Sequence, residues 1–470
     1  MNTDQLQTAS LRATPAGAAI TRILAAALAA VEPAAAVRRF LRRMGDDLSI
    51  GEQRYDLARY ERVLLIGAGK AGAPMAHAAA EVLGERLAAG VVVVKEGHTA
   101  GLQISDFRFQ IEQPNLQSAI CNLQLVEAGH PIPDERGVDG ARRIAELLAG
   151  AGERDLVIAL ISGGGSALLT LPAPGVALAD MQALTRELLA CGASINEINT
   201  LRKHLDQVKG GGLARMAQPA ALATLVLSDV VGDPLDVIAS GPTVPDPTTF
   251  ADAYAILERY GIVERIPPPI VAHLCRGIAG AVAETPKPGD ALFEDVQNLI
   301  IGSNRQAAEG ALAAARAEGF NAMLLTTYLQ GEAREVGRAL AALAREIAAT
   351  GRPVSRPACV VVGGETTVTL RGDGMGGRNQ ELALATAADL AGLRDVLLVT
   401  LATDGGDGPT DAAGAVVTGA TLDQARRLGL DPAAQLARNN AYPFFAALGD
   451  LLRPGPTQTN VNDLTFVFAL

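Results

Sequence analysis

The sequence predicts a two-domain α/β protein, and three observations lead to this prediction. Short apolar runs, typical of strands buried on both faces of a parallel sheet, alternate with helical segments. Several of these runs end in loops rich in glycine or in acidic residues. The chain has 470 residues, which is too long for one hydrophobic core. We therefore expect an N-terminal domain over residues 1–275 and a C-terminal α/β domain over residues 290–470, on either side of a proline-rich boundary.

Composition restricts the class of protein. Hydrophobic residues make up 49% of the chain and charged residues 19%, a balance typical of globular proteins. Because aromatic residues are only 3% and the net charge is -11, we do not expect nucleic acid to bind. The four cysteines lie far apart, and no basic segment followed by an apolar core opens the chain. We expect reduced thiols, no membrane segment and a cytoplasmic location.

The elements follow in order along the chain. Residues 17–44 predict one or two helices that end in a basic cluster at Arg38, Arg39, Arg42 and Arg43, which we interpret as a solvated helix end. An alternating segment over 101–126 predicts an edge hairpin or a surface insertion. Strands are predicted over residues 63–66, 91–94, 155–161, 221–227, 321–326, 359–362, 397–401 and 465–470, and a strand beginning at residue 298 is expected to open the second series.

The first predicted strand leads into a glycine turn and an alanine-rich helix. Gly67, Gly69 and Gly72 fit the G-x-G-x-x-G pattern, which predicts a Rossmann-like three-layer domain with an anion site at the helix N-terminus. Lys70 lies inside this turn. A helix start is an unfavourable place for a cation unless an anion binds there, so we expect Lys70 to contact phosphate.

A second glycine loop follows the strand over 155–161. Ser162, Gly163, Gly164, Gly165 and Ser166 combine a backbone that an anion can approach closely with two hydroxyl groups. A flexible turn is the alternative interpretation. The loop lacks the G-x-S-x-G pattern and the chain has only five histidines, so a Ser–His–Asp triad is not expected.

Two basic segments are further candidates. Glycines place Arg378 at a predicted helix start, where its planar guanidinium would suit a phosphate or carboxylate, although an exposed hairpin turn is the alternative. Asn199, Arg202 and Lys203 form a polar segment that would bind a small carboxylate or would be a solvated helix face. Isolated histidines such as His130 are expected to make structural hydrogen bonds.

Two acidic loops predict a magnesium site. Asp229 and Asp233 flank a glycine, and Asp404 and Asp407 lie in a loop rich in glycine, proline and threonine. Mg²⁺ takes one or two carboxylates together with substrate phosphates, so these loops would suit it. Each aspartate would equally suit the capping of a turn.

Seven motifs spread over nearly the whole chain resemble, in their order, the glycerate 2-kinase family, some of whose members have been labelled hydroxypyruvate reductases. The resemblance implies ATP- and Mg²⁺-dependent phosphorylation of D-glycerate to 2-phosphoglycerate, and two α/β domains with the active site in the cleft between them. It also implies catalytic roles for Lys70 and Arg378. The stretch from residue 103 to 122 is longer than the family pattern suggests. The motifs are Gly67-Ala68-Gly69-Lys70-Ala71, Glu127-Ala128-Gly129-His130-Pro131, Ser162-Gly163-Gly164-Gly165-Ser166, Ser228-Asp229-Val230-Val231-Gly232-Asp233, Gly363-Gly364-Glu365-Thr366, Gly377-Arg378-Asn379-Gln380-Glu381 and Thr403-Asp404-Gly405 through Asp411.

The working hypothesis is phosphoryl transfer from ATP, in which Lys70 and Arg378 neutralise charge on the transferred group. The main rival is an NAD(P)H-dependent hydroxypyruvate reductase, for which the glycine fingerprint is expected and Glu96 would bind the ribose. A protein that only binds small anions is a third possibility. In each case the expected partners are small molecules, and the sequence makes no prediction about oligomeric state.

Overall fold

The computed structural model describes residues 3–99 and 122–470. These residues form two compact units. The first unit contains Pro33–Ser228 and Asp233–Ile301, and the second contains the chain up to Glu32, Asp229–Gly232 and Gly302–Leu470. The expected domains, 1–275 and 290–470, divide the chain differently, because the first segment packs with the C-terminal half. The insertion at 103–122, apart from its last residue, and most of the predicted hairpin lie outside the described residues.

The described chain contains helices and strands with the following bounds. The strands are β1 Leu41–Met44, β2 Asp47–Ile50, β3 Gln53–Asp56, β4 Arg62–Ala68, β5 Leu87–Lys95, β6 Leu123–Ala128, β7 Asp155–Ser162, β8 Ala221–Leu227, β9 Val296–Gly302, β10 Asn321–Leu329, β11 Ala358–Gly364, β12 Val396–Ala402, β13 Gly414–Thr418, β14 Leu451–Leu452 and β15 Asp463–Ala469. The α-helices are α1 Ala9–Ala13, α2 Gly17–Ala30, α3 Pro33–Phe40, α4 Gly72–Leu83, α5 Glu135–Ala149, α6 Gly165–Leu168, α7 Leu178–Ala190, α8 Ile195–Leu205, α9 Gly212–Ala217, α10 Phe250–Arg259, α11 Pro268–Ile278, α12 Asn304–Ala317, α13 Ala333–Thr350, α14 Arg378–Thr386, α15 Thr421–Arg427, α16 Pro432–Ala437 and α17 Ala441–Leu448.

The first unit is built on a six-stranded sheet in the order β6-β5-β4-β7-β8-β9. Neighbouring strands from β6 to β8 run parallel. Their residues are almost entirely apolar because helices cover both faces of a parallel sheet. The alanines of α4 bring this helix close to β4 and β5, and its side chains are buried along most of its length. Helices α7, α8, α10 and α11 form a second, smaller core.

The second unit is built on a mixed six-stranded sheet in the order β10-β11-β15-β12-β13-β14. The pair β10–β11 is parallel, whereas β15 pairs antiparallel with both β11 and β12. The N-terminal segment packs here: Ser10 Oγ donates a hydrogen bond to buried Asp450 at 2.7 Å. A Cβ atom on Gly310 of α12 would lie 2.6 Å from Ala30 Cβ, so glycine permits close packing of α2 on α12.

The predicted fold class is confirmed by the parallel sheet with its helices and by the mixed second sheet. Two local predictions are wrong. Arg42 and Arg43 do not end a helix but lie in β1, because Leu41, Leu48 and Ile50 are buried at strand spacing in a small antiparallel sheet. The strand predicted from residue 298 does not open the second series, because it is the edge strand β9 of the first sheet.

No single helix among the described residues is long and apolar enough to cross a membrane; α2 and α3 meet the length and composition test only as a pair bent by 58°.

Candidate active site

The candidate site of the first unit lies where four neighbouring parallel strands end. Ala68 of β4 is in register with Val93 of β5 and Ile161 of β7, and Lys95 of β5 is in register with Ala128 of β6. The loops that follow these strands therefore share the carboxyl edge of the sheet, where open α/β sheets bind ligands.

The two glycine loops predicted from the sequence are joined by hydrogen bonds. Lys70 N–H donates to the Gly163 carbonyl at 2.8 Å, and Ala71 N–H donates to Ser162 Oγ at 3.1 Å. Gly69 has φ 144°, and a Cβ atom there would lie 2.0 Å from Ser162 Oγ. Because Ser162 is buried and bonded to the backbone, it supports the turn and does not face a ligand.

Lys70 is half-buried beside the second glycine loop. It has no carboxylate partner at ion-pair distance within the described residues. Gly164 has φ 82°, and a Cβ atom there would lie 3.3 Å from Lys70 Cγ and 3.1 Å from His130 Nε2. Lys70 and His130 therefore flank Gly164, which leaves the loop backbone accessible between them.

Lys95 adds a second cation near Lys70, and His98 and His130 lie beside them; the sequence analysis did not select this group. His98 Nδ1 donates to the Lys70 carbonyl at 3.0 Å. Burial first, and then the proximity of Lys70, Lys95 and His98, lowers the pKa of His130 to about 4. The expected structural hydrogen bond of His130 is not present, since neither ring nitrogen has a protein partner in the part of the chain that is described.

Carboxylates near this group already have partners. Glu127 accepts hydrogen bonds from Thr99 Oγ1 at 2.5 Å and from Gly97 N–H at 3.2 Å. Arg136 binds both Glu96 and Asp134 at 2.8 Å. Glu96 and Asp134 are thus paired with a cation, whereas Lys70 and Lys95 form no ion pair with a carboxylate among the described residues.

Ser166 and Asn199 belong to a hydrogen-bonded chain through Ser240. Ser240 Oγ donates to Asn199 Oδ1 at 3.0 Å and lies 2.9 Å from Ser166 Oγ. Because Ser240 has one hydroxyl proton, Ser166 must donate to it. This leaves the Asn199 amide nitrogen as a donor for a ligand.

Arg202 lines a small cavity together with Pro133, Ser166 and Lys209. Burial lowers the pKa of the Arg202 guanidinium, and nearby Asp206 only partly offsets this effect. Asp206 is itself bound by Lys209 at 2.7 Å. A half-buried cation without its own carboxylate is favoured by the binding of an anion, so Arg202 is a candidate ligand for a carboxylate.

Lys203 differs from Arg202 although the two are adjacent on α8. Lys203 is 5% exposed and its Nζ lies 3.4 Å from Asp246 Oδ1 and 3.7 Å from Asp236 Oδ2. Its charge is therefore paired inside the protein. Asp246 therefore competes with the substrate contact that the sequence predicts for Lys203.

Arg378 lies at the start of α14 in the second unit. Its Nε and Nη2 donate to the two oxygens of Asp463 at 2.5 and 3.1 Å, and Nη1 lies 2.7 Å from Glu365 Oε1. Burial alone would lower the pKa of this guanidinium, but the bonds to Asp463 and the charge of Glu365 raise it instead. The two carboxylates hold the guanidinium in a fixed orientation.

The acidic residues around Arg378 divide into two kinds. Asp407 accepts hydrogen bonds from Asn379 N–H at 3.2 Å and Gln380 N–H at 2.9 Å, so it caps α14, and burial raises its pKa to about 7. Asp404 is exposed, and its carboxylate accepts a turn hydrogen bond from Gly406 N–H at 3.1 Å.

Glu365 is the acidic residue that the sequence analysis did not select. Burial raises its pKa, Arg378 opposes this, and the charges of Asp463, Asp229 and Asp404 raise it again. Asp229 thus belongs to the same acidic surroundings in the second unit, whereas Asp233, with φ 57°, belongs to the first unit. No group of three or more metal-ligating side chains is present among the residues described.

This acidic group fits Mg²⁺ only in combination with substrate oxygens. Mg²⁺ usually takes one or two carboxylates together with phosphate oxygens and water. Asp404 and Glu365 have oxygens of the required chemistry, whereas both oxygens of Asp407 already accept helix N–H groups.

Comparison with known proteins gives consistent results. The family model described as Domain of unknown function (DUF4147) matches residues 19–275, and the MOFRL family model matches residues 358–463. A D-glycerate 2-kinase of Thermotoga maritima is 46% identical over 86% of this chain and 90% of that protein. A glycerate 2-kinase of Pyrococcus horikoshii is 41% identical over 94% of this chain and 95% of that protein. A putative hydroxypyruvate reductase of Agrobacterium vitis is 43% identical over 86% of each.

A solved structure agrees with these similarities. The crystal structure of a glycerate kinase from Thermotoga maritima matches with a TM-score of 0.82 and 42% identity, over 96% of this chain and 98% of that chain. Identity and coverage at this level show common descent along nearly the whole chain. The chain belongs to the glycerate 2-kinase family.

Proposed function

We propose that this chain transfers the terminal phosphoryl group of ATP to the C2 hydroxyl of D-glycerate, which yields 2-phosphoglycerate and ADP. The observation that carries the proposal is the cationic edge of the first sheet, where Lys70 and Lys95 have no carboxylate partners among the described residues. Such an edge attracts a polyphosphate, and the lysine in a glycine turn suits a phosphate oxygen. Family membership supports the same reaction.

Lys70 and Arg378 are assigned to the transferred phosphoryl group. Phosphoryl transfer places charge on the equatorial oxygens of this group, and fixed cations stabilise that charge. Lys70 is held by its backbone bond to Gly163, and Arg378 is held by Asp463 and Glu365. The guanidinium of Arg378 is therefore oriented before the substrate binds, and the backbone that carries Lys70 is fixed, which reduces the reorganisation needed in the transition state.

The carboxylate of glycerate is assigned to Arg202 and Asn199, and Ser166 orients Ser240 beside Asn199 through its own hydrogen bond. Arg202 supplies an uncompensated guanidinium, and Asn199 supplies an amide donor oriented by Ser240. Arg202 and Ser166 line one small cavity, to which Pro133 also contributes. Gly163, Gly164 and Gly165 are assigned to phosphate or substrate oxygens that approach their backbone.

Magnesium is assigned to the aspartates that the sequence analysis selected, and Glu365 is added to them. Asp229, Asp233 and Asp404 remain candidates, together with the phosphate oxygens of ATP. When bound, Mg²⁺ would neutralise charge on the phosphates. Asp407 is the weakest candidate because its oxygens cap α14.

The rival reductase activity has less support. Glu96, which would bind the ribose of a dinucleotide, is bound by Arg136 at 2.8 Å. One relative is named as a putative hydroxypyruvate reductase. No contact in the described residues specifically favours hydride transfer.

Two parallel assays test the proposed function. One contains D-glycerate, ATP and Mg²⁺, and the other contains hydroxypyruvate and NADH. We expect turnover in the first, with ³¹P NMR identifying 2-phosphoglycerate as the product. Turnover only in the second assay would establish the reductase, and a 3-phosphoglycerate product would refute the assignment of the C2 hydroxyl.

A further inference from the structure

The loop that carries His130 is held firmly at the carboxyl edge of the first sheet. It follows β6 and ends at Asp134, which caps α5 by accepting a hydrogen bond from Gly137 N–H at 3.0 Å. Gln182 Nε2 donates to the Pro133 carbonyl at 2.8 Å, which adds a second contact near the end of the loop. His130 therefore has a defined position beside the candidate phosphate site.

The imidazole of His130 is placed next to Lys70 without being bonded to the protein. Its Nε2 and Lys70 Cγ lie 3.1 and 3.3 Å from a Cβ position on Gly164, so the two side chains border the same glycine. Neither ring nitrogen has a partner in the described residues. A ring nitrogen is thus free to contact a substrate that reaches Lys70.

The same loop borders the subsite assigned to the glycerate carboxylate. Pro133 lines the cavity that contains Arg202 and Ser166. The loop that carries His130 therefore contributes directly to the surroundings of Arg202 and Ser166. The loop therefore joins the acid subsite to the phosphate site.

His130 is also in the protonation state that a proton acceptor needs. Burial and the charges of Lys70, Lys95 and His98 lower its pKa to about 4, so the imidazole is neutral at pH 7. The nearby carboxylates cannot easily replace it, because Glu127 accepts two hydrogen bonds and Arg136 binds both Glu96 and Asp134. His98 differs because its Nδ1 is already bonded to the Lys70 carbonyl.

We propose that His130 is the general base that accepts the proton of the attacking glycerate hydroxyl, an inference that rests on the proposed function. The hydroxyl oxygen forms a bond to the terminal phosphorus of ATP, and the bond from this phosphorus to the bridging oxygen breaks. The electron pair of the broken bond leaves with ADP. The hydroxyl proton passes to His130 and is then released to water.

The test compares two His130 variants with a control from the same loop. In His130→Ala and His130→Asn we expect kcat to fall by roughly 10²- to 10⁴-fold, the usual contribution of a general base, with the KM for ATP little changed. Ile132→Ala is the control because this side chain is exposed in the same loop. Melting temperatures of all three variants show whether the fold is retained.

Chemical rescue separates proton transfer from a structural role. Added imidazole should restore kcat of His130→Ala in a saturable manner, since it supplies the missing base, and should not affect Ile132→Ala. Two results would overturn the inference: parent-like kcat in both His130 variants, or a lost kcat that imidazole does not restore. Failure of the proposed function is a separate result: the parent chain would then not phosphorylate glycerate. That assay is done before any variant is made.

Discussion

Arg202 and Lys203 show how two adjacent cations on one helix acquire different roles. Lys203 faces Asp246 and is paired, whereas Arg202 faces a cavity and has no ion-pair partner among the described residues. The difference arises from the direction in which each side chain leaves α8. An unpaired buried charge is a cost to the folded protein that binding of an anion relieves.

Replacing Arg202 should therefore weaken glycerate binding. For Arg202→Gln we expect the KM for glycerate to rise by roughly 10- to 100-fold, as for the loss of a hydrogen bond between charged groups, while the KM for ATP stays near the parent value. Arg186→Gln is the matched control, because Arg186 is exposed on α7. Steady-state kinetics with each substrate varied separately measures both constants, and equal changes in the two KM values would contradict the assignment.

At the scale of elements, α14 depends on a residue that comes from a distant loop. Gly377, which precedes the helix, has no side chain to cap it, so Asp407 supplies the acceptors for Asn379 and Gln380 N–H. A Cβ atom on Gly377 would lie 2.3 Å from Asp407 Cγ, which explains why glycine precedes the helix. The start of the helix, and with it Arg378, is thus fixed by this carboxyl group.

The raised pKa of Asp407 predicts a pH-dependent stability. Its pKa is about 7 in the folded protein and about 3.9 when unfolded, so the folded state binds the proton more tightly. Stability from this group therefore decreases as the pH rises from about 4 through 7. Relative to the parent, Asp407→Asn should become more stable as the pH rises over this range, as measured by thermal unfolding at several pH values.

Two further results bear on Asp407. A pH-independent difference between Asp407→Asn and the parent would contradict the raised pKa. A variant that needs much more Mg²⁺ for activity while its unfolding stays unchanged would show that Asp407 is a metal ligand rather than a cap.

The opposite edge of the first sheet is stabilised by a buried carboxylate. Burial alone would raise the pKa of Asp155, but its bonds from Arg62 at 2.6 and 3.0 Å and from Gly152 N–H lower the pKa overall. This group therefore stabilises the fold above its unfolded pKa of about 3.9, and the contribution is lost as the pH falls through the folded value.

Asp155→Asn should lower stability at pH 7 by about 1–3 kcal/mol, the usual cost of breaking a bond to a buried charged group. The difference from the parent should shrink as the pH falls below about 3.9 and through the lowered pKa of Asp155 in the folded protein, because the parent then loses this contribution. Asp389→Asn, at an exposed position, is the control. Activity at 25 °C should not change, because this edge lies away from the candidate site; a difference that grows at low pH would refute the argument.

At the scale of the whole molecule, the N-terminal segment stabilises the second unit. Helix α2 packs on α12, where Gly310 leaves room for Ala30, and Arg22 binds Glu318 at 2.6 Å. Gly310→Val should lower the stability of this unit by about 1–3 kcal/mol through overpacking, whereas Ala313→Val on the exposed face should not. Hydrogen exchange should show lost protection over 302–470; losses confined to 33–228 would contradict this packing.

Local patterns in the sequence predict most strands of the first sheet and one candidate catalytic residue. The apolar runs predict β4, β5, β7, β8 and β12, and the glycine spacing together with an unfavourably placed cation identifies Lys70. These signals are local, because burial of a strand and the conformation of a turn depend on adjacent residues.

Other features depend on contacts between distant residues. The grouping of Lys70 with Lys95 and His130 requires the strand order β6-β5-β4-β7, which no local pattern contains. Arg42 and Arg43 satisfy the pattern of a helix end, yet pairing of β1 with β2 prevails. The packing of residues up to Glu32 on the second unit depends on a glycine almost three hundred positions away in the sequence.

The central claim is that Lys70 stabilises a phosphoryl group in transfer, and one kinetic comparison tests it most directly. Single-turnover rates with D-glycerate, ATP and Mg²⁺ are measured for the parent, Lys70→Ala and the control Lys287→Ala, whose lysine pairs with Glu284 away from the site. We expect Lys70→Ala to lose roughly 10²- to 10³-fold in rate, as for removal of one group that stabilises transition-state charge, and Lys287→Ala to match the parent. A folded Lys70→Ala protein with the parent rate would contradict the claim.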